Sequence, residues 1–133
     1  MGSKNILQKS TPAELKLLTE WKDRLGLNDW YIILETNCKP NEMGLQDADG
    51  CVSYTETTKA AKIQILNPEE RRDGLRPFDF EEILVHELLH MKLCLLERGD
   101  DWDNKLQLRL LHALIDDLAR AFVDAKNYYK EEK

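Results

Sequence analysis

Between Asp79 and Arg98 the chain spells out an apolar helix that carries three ionisable side chains within five positions, and this narrows what the whole chain can fold into. Asp79 can cap, Glu82 stands at the third helical position, and Phe78 with Ile83 fits a hydrophobic staple. These signals predict a helix from Phe80 to about Arg98, stopped by Gly99. Phe80, Leu84, Leu88, Met91 and Leu95 form its apolar stripe. Among them lie His86, Glu87 and His90, a polar triple that is unfavourable to bury without partners.

The rest of the chain supplies elements to surround that helix. Thr11 with Glu14 makes a capping box and Pro12 sits at the first helical position, so a helix is expected at about 12–25, ended by Gly26. Trp30 to Thr36, Cys51 to Thr55 and Ala60 to Leu66 read as strands, the last two as an antiparallel hairpin with Ile63 and Ile65 inward. A final helix is expected at about 104–127, burying Leu111, Leu114, Leu118 and Phe122. The expected fold is α+β in a single domain over 1–133: an N-terminal helix, a small three- to four-stranded sheet, mainly antiparallel or mixed, then the two later helices. Residues 1–10 and 127–133 are expected to be flexible.

Composition excludes several classes. A chain of 133 residues suits one core. With 19 Lys and Arg against 25 Asp and Glu, the net charge of −6 lacks the footprint of a nucleic-acid binder. No apolar run is long enough to span a bilayer, and the start has no apolar core of a secretion signal. Cys38, Cys51 and Cys94 are odd in number and form no CxxC, so reduced thiols in a cytoplasmic protein are expected, and a monomer.

His86-Glu87-Leu88-Leu89-His90 is an HExxH motif, and on a helix positions i and i+4 are neighbours. Both imidazoles can face one ion, and Glu87, about 100° round the helix, can reach a water on it without displacing a histidine. Zinc suits neutral imidazole and lowers the pKa of its water to about 7. A catalytic zinc needs a third protein ligand. His112 follows His90 with 21 residues between them, and an antiparallel return would bring it back beside the pair. Asp116 follows one turn on and could accept the N–H of a liganding histidine. Glu97, Asp100, Asp101 and Asp103 are rival ligands near the expected helix end.

On HELLH followed by a second helix with ligand-xxx-Asp, the chain resembles the zincin metallopeptidases of the gluzincin type, above all the small single-domain minigluzincins, and is similar to short phage-type metallopeptidases. The departure is His112 where a gluzincin has Glu; a distant third histidine also occurs in SprT-like proteases. The resemblance implies zinc-dependent hydrolysis of peptide or protein substrates, with His86, His90 and His112 as ligands, Glu87 as general base and acid, and Asp116 orienting a ligand. It also implies a substrate strand along the sheet edge, either 51–55 or 60–66, and a residue polarising the carbonyl, for which Tyr31, Tyr54, Tyr128 and Tyr129 are candidates. The alternatives are a structural or regulatory zinc module, and an enzyme held latent by residues 124–133.

Overall fold

Thr11 opens the first helix, α1 (Pro12–Arg24), through the reciprocal box its spacing predicts: Thr11 Oγ1 accepts from Glu14 N at 3.2 Å and Glu14 Oε1 from Thr11 N at 2.9 Å. The computed structural model describes residues 10–45, 48–71, 76–94 and 105–131, except the side chains of residues 105 and 129–131. After α1 come β1 (Tyr31–Cys38), β2 (Gly50–Thr55), β3 (Ala60–Leu66), α2 (Phe80–Lys92) and α3 (Lys105–Glu131), with short 3-10 turns at Pro40–Glu42 and Pro68–Glu70. The fold is α+β with one principal core. No helix among the described residues is long and apolar enough to cross a membrane.

The sheet is three-stranded and mixed, in the order β1-β3-β2. The β2–β3 hairpin is antiparallel as its alternation predicts, with Val52 opposite Ile63. β1 runs parallel to β3, with Leu34 opposite Ile63, so the mainly antiparallel sheet holds for the hairpin alone. The chain leaves β1, crosses to the far edge, and returns down the middle, and from Ile63 to Leu66 every residue of β3 is buried. Among them is Gln64, a polar residue on the face expected to be outward but only 5% exposed. The segment after β1 folds over it. Gln64 Nε2 donates to Glu42 O at 2.8 Å and to Glu35 Oε1 at 3.0 Å, and Oε1 accepts from Gly44 N at 2.9 Å. Cys38, Met43, Cys51 and Leu66 fill a second small core beside it. All three cysteines are buried, and none is bonded to another.

Helix α2 starts where predicted, with Asp79 accepting from Glu82 N at 3.1 Å. Its Leu84, Leu88 and Met91 are buried, and Val85 and Leu89 join them. The helix ends at Lys92 with Leu93 as its C-cap, six residues short of the expected end at Arg98, while Leu95, the stop at Gly99 and the link to Asn104 fall outside the described residues. Helix α3 is described to Glu131, beyond the expected end at Asn127.

The buried face of α3 differs from the expected one. Leu111, Ile115, Ala119 and Val123 are inside; Leu114 is 48% and Phe122 37% exposed, and Leu118 is half-buried. The apolar arc of this helix, from Leu106 round to Val123, is wider than one neighbour can cover, so periodicity alone does not choose its centre. The row His112, Asp116, Arg120, one residue on from the buried row, faces α2 and sets the rotation.

One buried cation ties three helices together. Lys126, 9% exposed on α3, pairs with Glu81 at the start of α2 and with Glu20 of α1 at 3.2 Å. Glu81 also accepts from Trp21 Nε1 at 2.7 Å, and the Lys126 ammonium lies 5.7 Å from the Trp21 ring centroid.

The rotation of α3 gives a direct test. Ile115→Ala should destabilise by about 2–5 kcal/mol, as deletion of a fully buried side chain does, and Leu114→Ala by under about 1 kcal/mol. Urea unfolding of both variants measures it; the reverse order would place the helix in the other rotation.

Candidate metal centre

α2 and α3 run antiparallel and meet along two rows of residues four apart. Glu82, His86 and His90 share one face of α2; Arg120, Asp116 and His112 share the facing side of α3. The rows pair as a ladder. The His90 and His112 rings stand 4.9 Å apart, His86 Nδ1 lies 2.7 Å from Asp116 Oδ1, and Arg120 Nε lies 3.6 Å from Glu82 Oε1.

The first two rungs gather all three histidines of the chain, whose ligand atoms lie within 4.8 Å of one another. The Nε2 atoms of His86 and His90 are 3.2 Å apart. Two nitrogens bound tetrahedrally at about 2.0–2.1 Å from zinc are about 3.3 Å apart, so this pair already has the edge of a zinc tetrahedron. Asp116 engages Nδ1 of His86 and leaves Nε2 with its lone pair outward, the tautomer that ligation needs. Burial holds the His86 imidazole below its ordinary pKa; Asp116 opposes this, and the neighbouring His90 and His112 reinforce it. The ring is therefore neutral at neutral pH. His86 and His90 are half-buried and His112 is exposed. The donor set and its spacing fit a divalent zinc ion.

These residues line one cleft of about 940 Å³ together with Glu87. Glu87 is 5% exposed and packs against Gly50, where an added Cβ would stand 3.2 Å from Glu87 Oε2 and 2.7 Å from Ile83 Cγ2. Residues Gly50 to Tyr54 of β2 line the cleft, and β2 is an edge strand whereas β3 is central. Of the two candidate strands, the first has an edge with no strand paired to it among the described residues, and it borders the histidines. Its start is clamped: Arg71 grips Asp49 through Nε at 3.1 Å and Nη2 at 3.2 Å, and donates to Arg76 O at 2.8 Å.

The structure thus brings together His86, Glu87, His90, His112 and Asp116. Of the tyrosine candidates, Tyr54 lines the cleft, edge-on to Trp30 at 6.3 Å, while Tyr31 is 67% and Tyr128 59% exposed elsewhere. The Tyr129 side chain and the rival ligands Glu97, Asp100, Asp101 and Asp103 lie outside the described residues. Asp124 to Tyr128, considered as an inhibitory tail, continue α3 and do not line the cleft. Gly50, Glu82 and Arg120 were not singled out from sequence as site residues, although the second and third extend the i, i+4 rows of the histidines and Asp116 by one turn.

Three outcomes are expected. Zinc titration should saturate at about one equivalent per chain; His112→Ala should weaken it severely, and Asp116→Ala by about 10–100-fold. Full affinity in His112→Ala would remove the third ligand. Gly50→Ala should keep the zinc stoichiometry but push Ile83 and Glu87 aside, seen as altered amide shifts of α2; unaltered shifts would show that the close approach does not matter. In metal-free protein the stability gained by keeping His86 neutral is whole above its unfolded pKa of about 6.5 and is lost as pH falls through the lower folded value. Thermal midpoints should therefore fall on acidification less steeply in His86→Gln than in wild type. In comparisons with known proteins, no family model, curated protein or solved structure matches this chain.

Proposed function

We propose that the chain is a zinc-dependent peptidase that hydrolyses peptide bonds in the cleft between β2 and the α2–α3 ladder. The observation that carries this reading is the grouping of three histidine ligand atoms within 4.8 Å, one histidine oriented by Asp116, in a cleft that also holds Glu87 and a free strand edge.

His86, His90 and His112, which line the cleft, would hold the ion. Zinc, when bound there, supplies Lewis acidity and a water of lowered pKa. Glu87 takes a proton from the attacking water as its oxygen adds to the carbonyl carbon, and delivers that proton to the amine nitrogen as the C–N bond breaks. The edge of β2 pairs with the peptide backbone, and so places the scissile carbonyl without reading side chains. Asp116 acts through His86, fixing its tautomer and keeping its nitrogen directed at the ion. The half-buried to exposed ligands and the open cleft favour this reading over a closed structural zinc site.

Glu87→Gln separates the two. It should retain one zinc per chain and lose about 10²–10⁴-fold in peptide hydrolysis, measured on a mixed peptide library by mass spectrometry. Cleavage at the wild-type rate would end the peptidase mechanism whatever the metal content.

A further inference from the structure

The third rung of the ladder has no task in the chemistry above, yet it lines the same cleft. Its charges are unevenly used. Arg71 is committed to Asp49, and Asp79 to capping α2. Among the described residues, Arg76 and Arg120 share one oxygen of Glu82, Oε1, at 3.6 Å from each, beyond hydrogen-bonding distance. Arg120 also lies 3.6 Å from Asp117, which is 75% exposed. Arg120 Nε is buried and has no hydrogen-bond acceptor among the described residues. A buried N–H without an acceptor is unfavourable, and two guanidinium forks beside it suit a planar, bidentate anion.

From this we propose that Arg76 and Arg120 form a carboxylate subsite for the bound peptide, a refinement that rests on the peptidase reading. The subsite has a side. The Gly50 end of β2 meets Ile83 and Glu87, and its Tyr54 end meets Trp30. A peptide pairing antiparallel with β2, the slightly more stable arrangement, runs its C-terminal part to the Gly50 end, where Arg71 joins Asp49 to the Arg76 carbonyl. Glu82 lies one turn before His86 on α2, about 6 Å along the axis, and an extended residue spans about 3.4 Å. The anion therefore belongs about two residues past the scissile carbonyl. Either an acidic side chain or the free C-terminus of a short peptide supplies it.

Three acetylated pentapeptides test this: Ala-Leu-Leu-Ala-Ala as the C-terminal amide and as the free acid, and Ala-Leu-Leu-Ala-Glu as the C-terminal amide. Each is titrated into ¹⁵N-labelled, zinc-loaded Glu87→Gln protein, so that binding is read from amide shifts without turnover. One or both carboxylate peptides should bind about tenfold or more tightly than the neutral amide, and which of them does so tells a terminal from a side-chain carboxylate. Arg120→Gln and Arg76→Gln, added separately, should bring them to the level of the amide with zinc stoichiometry unchanged; Arg76 is 60% exposed, so its variant tests the subsite without straining the fold. Equal binding of all three peptides, or a preference that survives both substitutions, overturns the proposal. A preference lost in both variants upholds the subsite even if wild-type protein cleaves none of the peptides, an outcome that counts against the peptidase reading alone. Cleavage of all three at equal kcat/KM, with equal binding, removes the subsite and leaves the peptidase reading standing.

Discussion

The antiparallel contact of α2 and α3 is the constraint on which the remaining features of the molecule depend. Side chains four apart on each helix project toward the other, so every turn offers one cross-helix pair. Three successive turns are used: His90 with His112, His86 with Asp116, Glu82 with Arg120. The hydrophobic row Leu111, Ile115, Ala119, Val123 lies beside this polar row on α3 and buries against the core. Apolar packing holds the helices together, while the polar pairs decide how each is rotated. The candidate metal centre is thus not an addition to the core but one margin of it.

On the other side of α2 the sheet is brought equally close. Gly50 stands where any larger residue would collide with Ile83, and this closeness leaves Glu87 nearly without solvent. Because β3 occupies the centre of the sheet, the hairpin leaves β2 at the edge, next to the same helix face. A row of backbone donors and acceptors with no strand paired to it among the described residues is otherwise a liability for a small protein. Here it borders the histidines, and the Arg71–Asp49 clamp holds its first residues in place.

Local signals were legible in the sequence because they depend on few residues. The caps at Thr11 and Asp79 are read within a single turn, and the hairpin within its alternation. The histidine pair follows from helical spacing, and the placing of His112 and Asp116 from one return of the chain. What escaped is what depends on partners distant along the chain. The parallel pairing of β1 is set by where the chain crosses to the far edge, and the burial of Gln64 by a segment that covers it from 20 residues away. The rotation of α3 escaped because Leu114 and Ile115 look alike to any hydrophobic pattern, and only the polar row beside them separates the two.

The ladder also makes the alignment of the two helices one-way. Its rungs repeat every four residues, and a helix pair with such a repeat could in principle slide by a turn. Sliding α3 one way would set Asp116 against Glu82, two carboxylates, and leave Arg120 past the helix start. Sliding it the other way would set Asp116 beside His90 and Arg120 beside His86, removing a histidine from the cluster and bringing a cation to it. The observed alignment sets His112 beside His90, the anion Asp116 against His86 and the cation Arg120 against Glu82, with Lys126 between Glu81 and Glu20 fixing the far end. In a protein of this size, where apolar surfaces forgive a slip, the order of charges along two helices serves as a key cut for a single position.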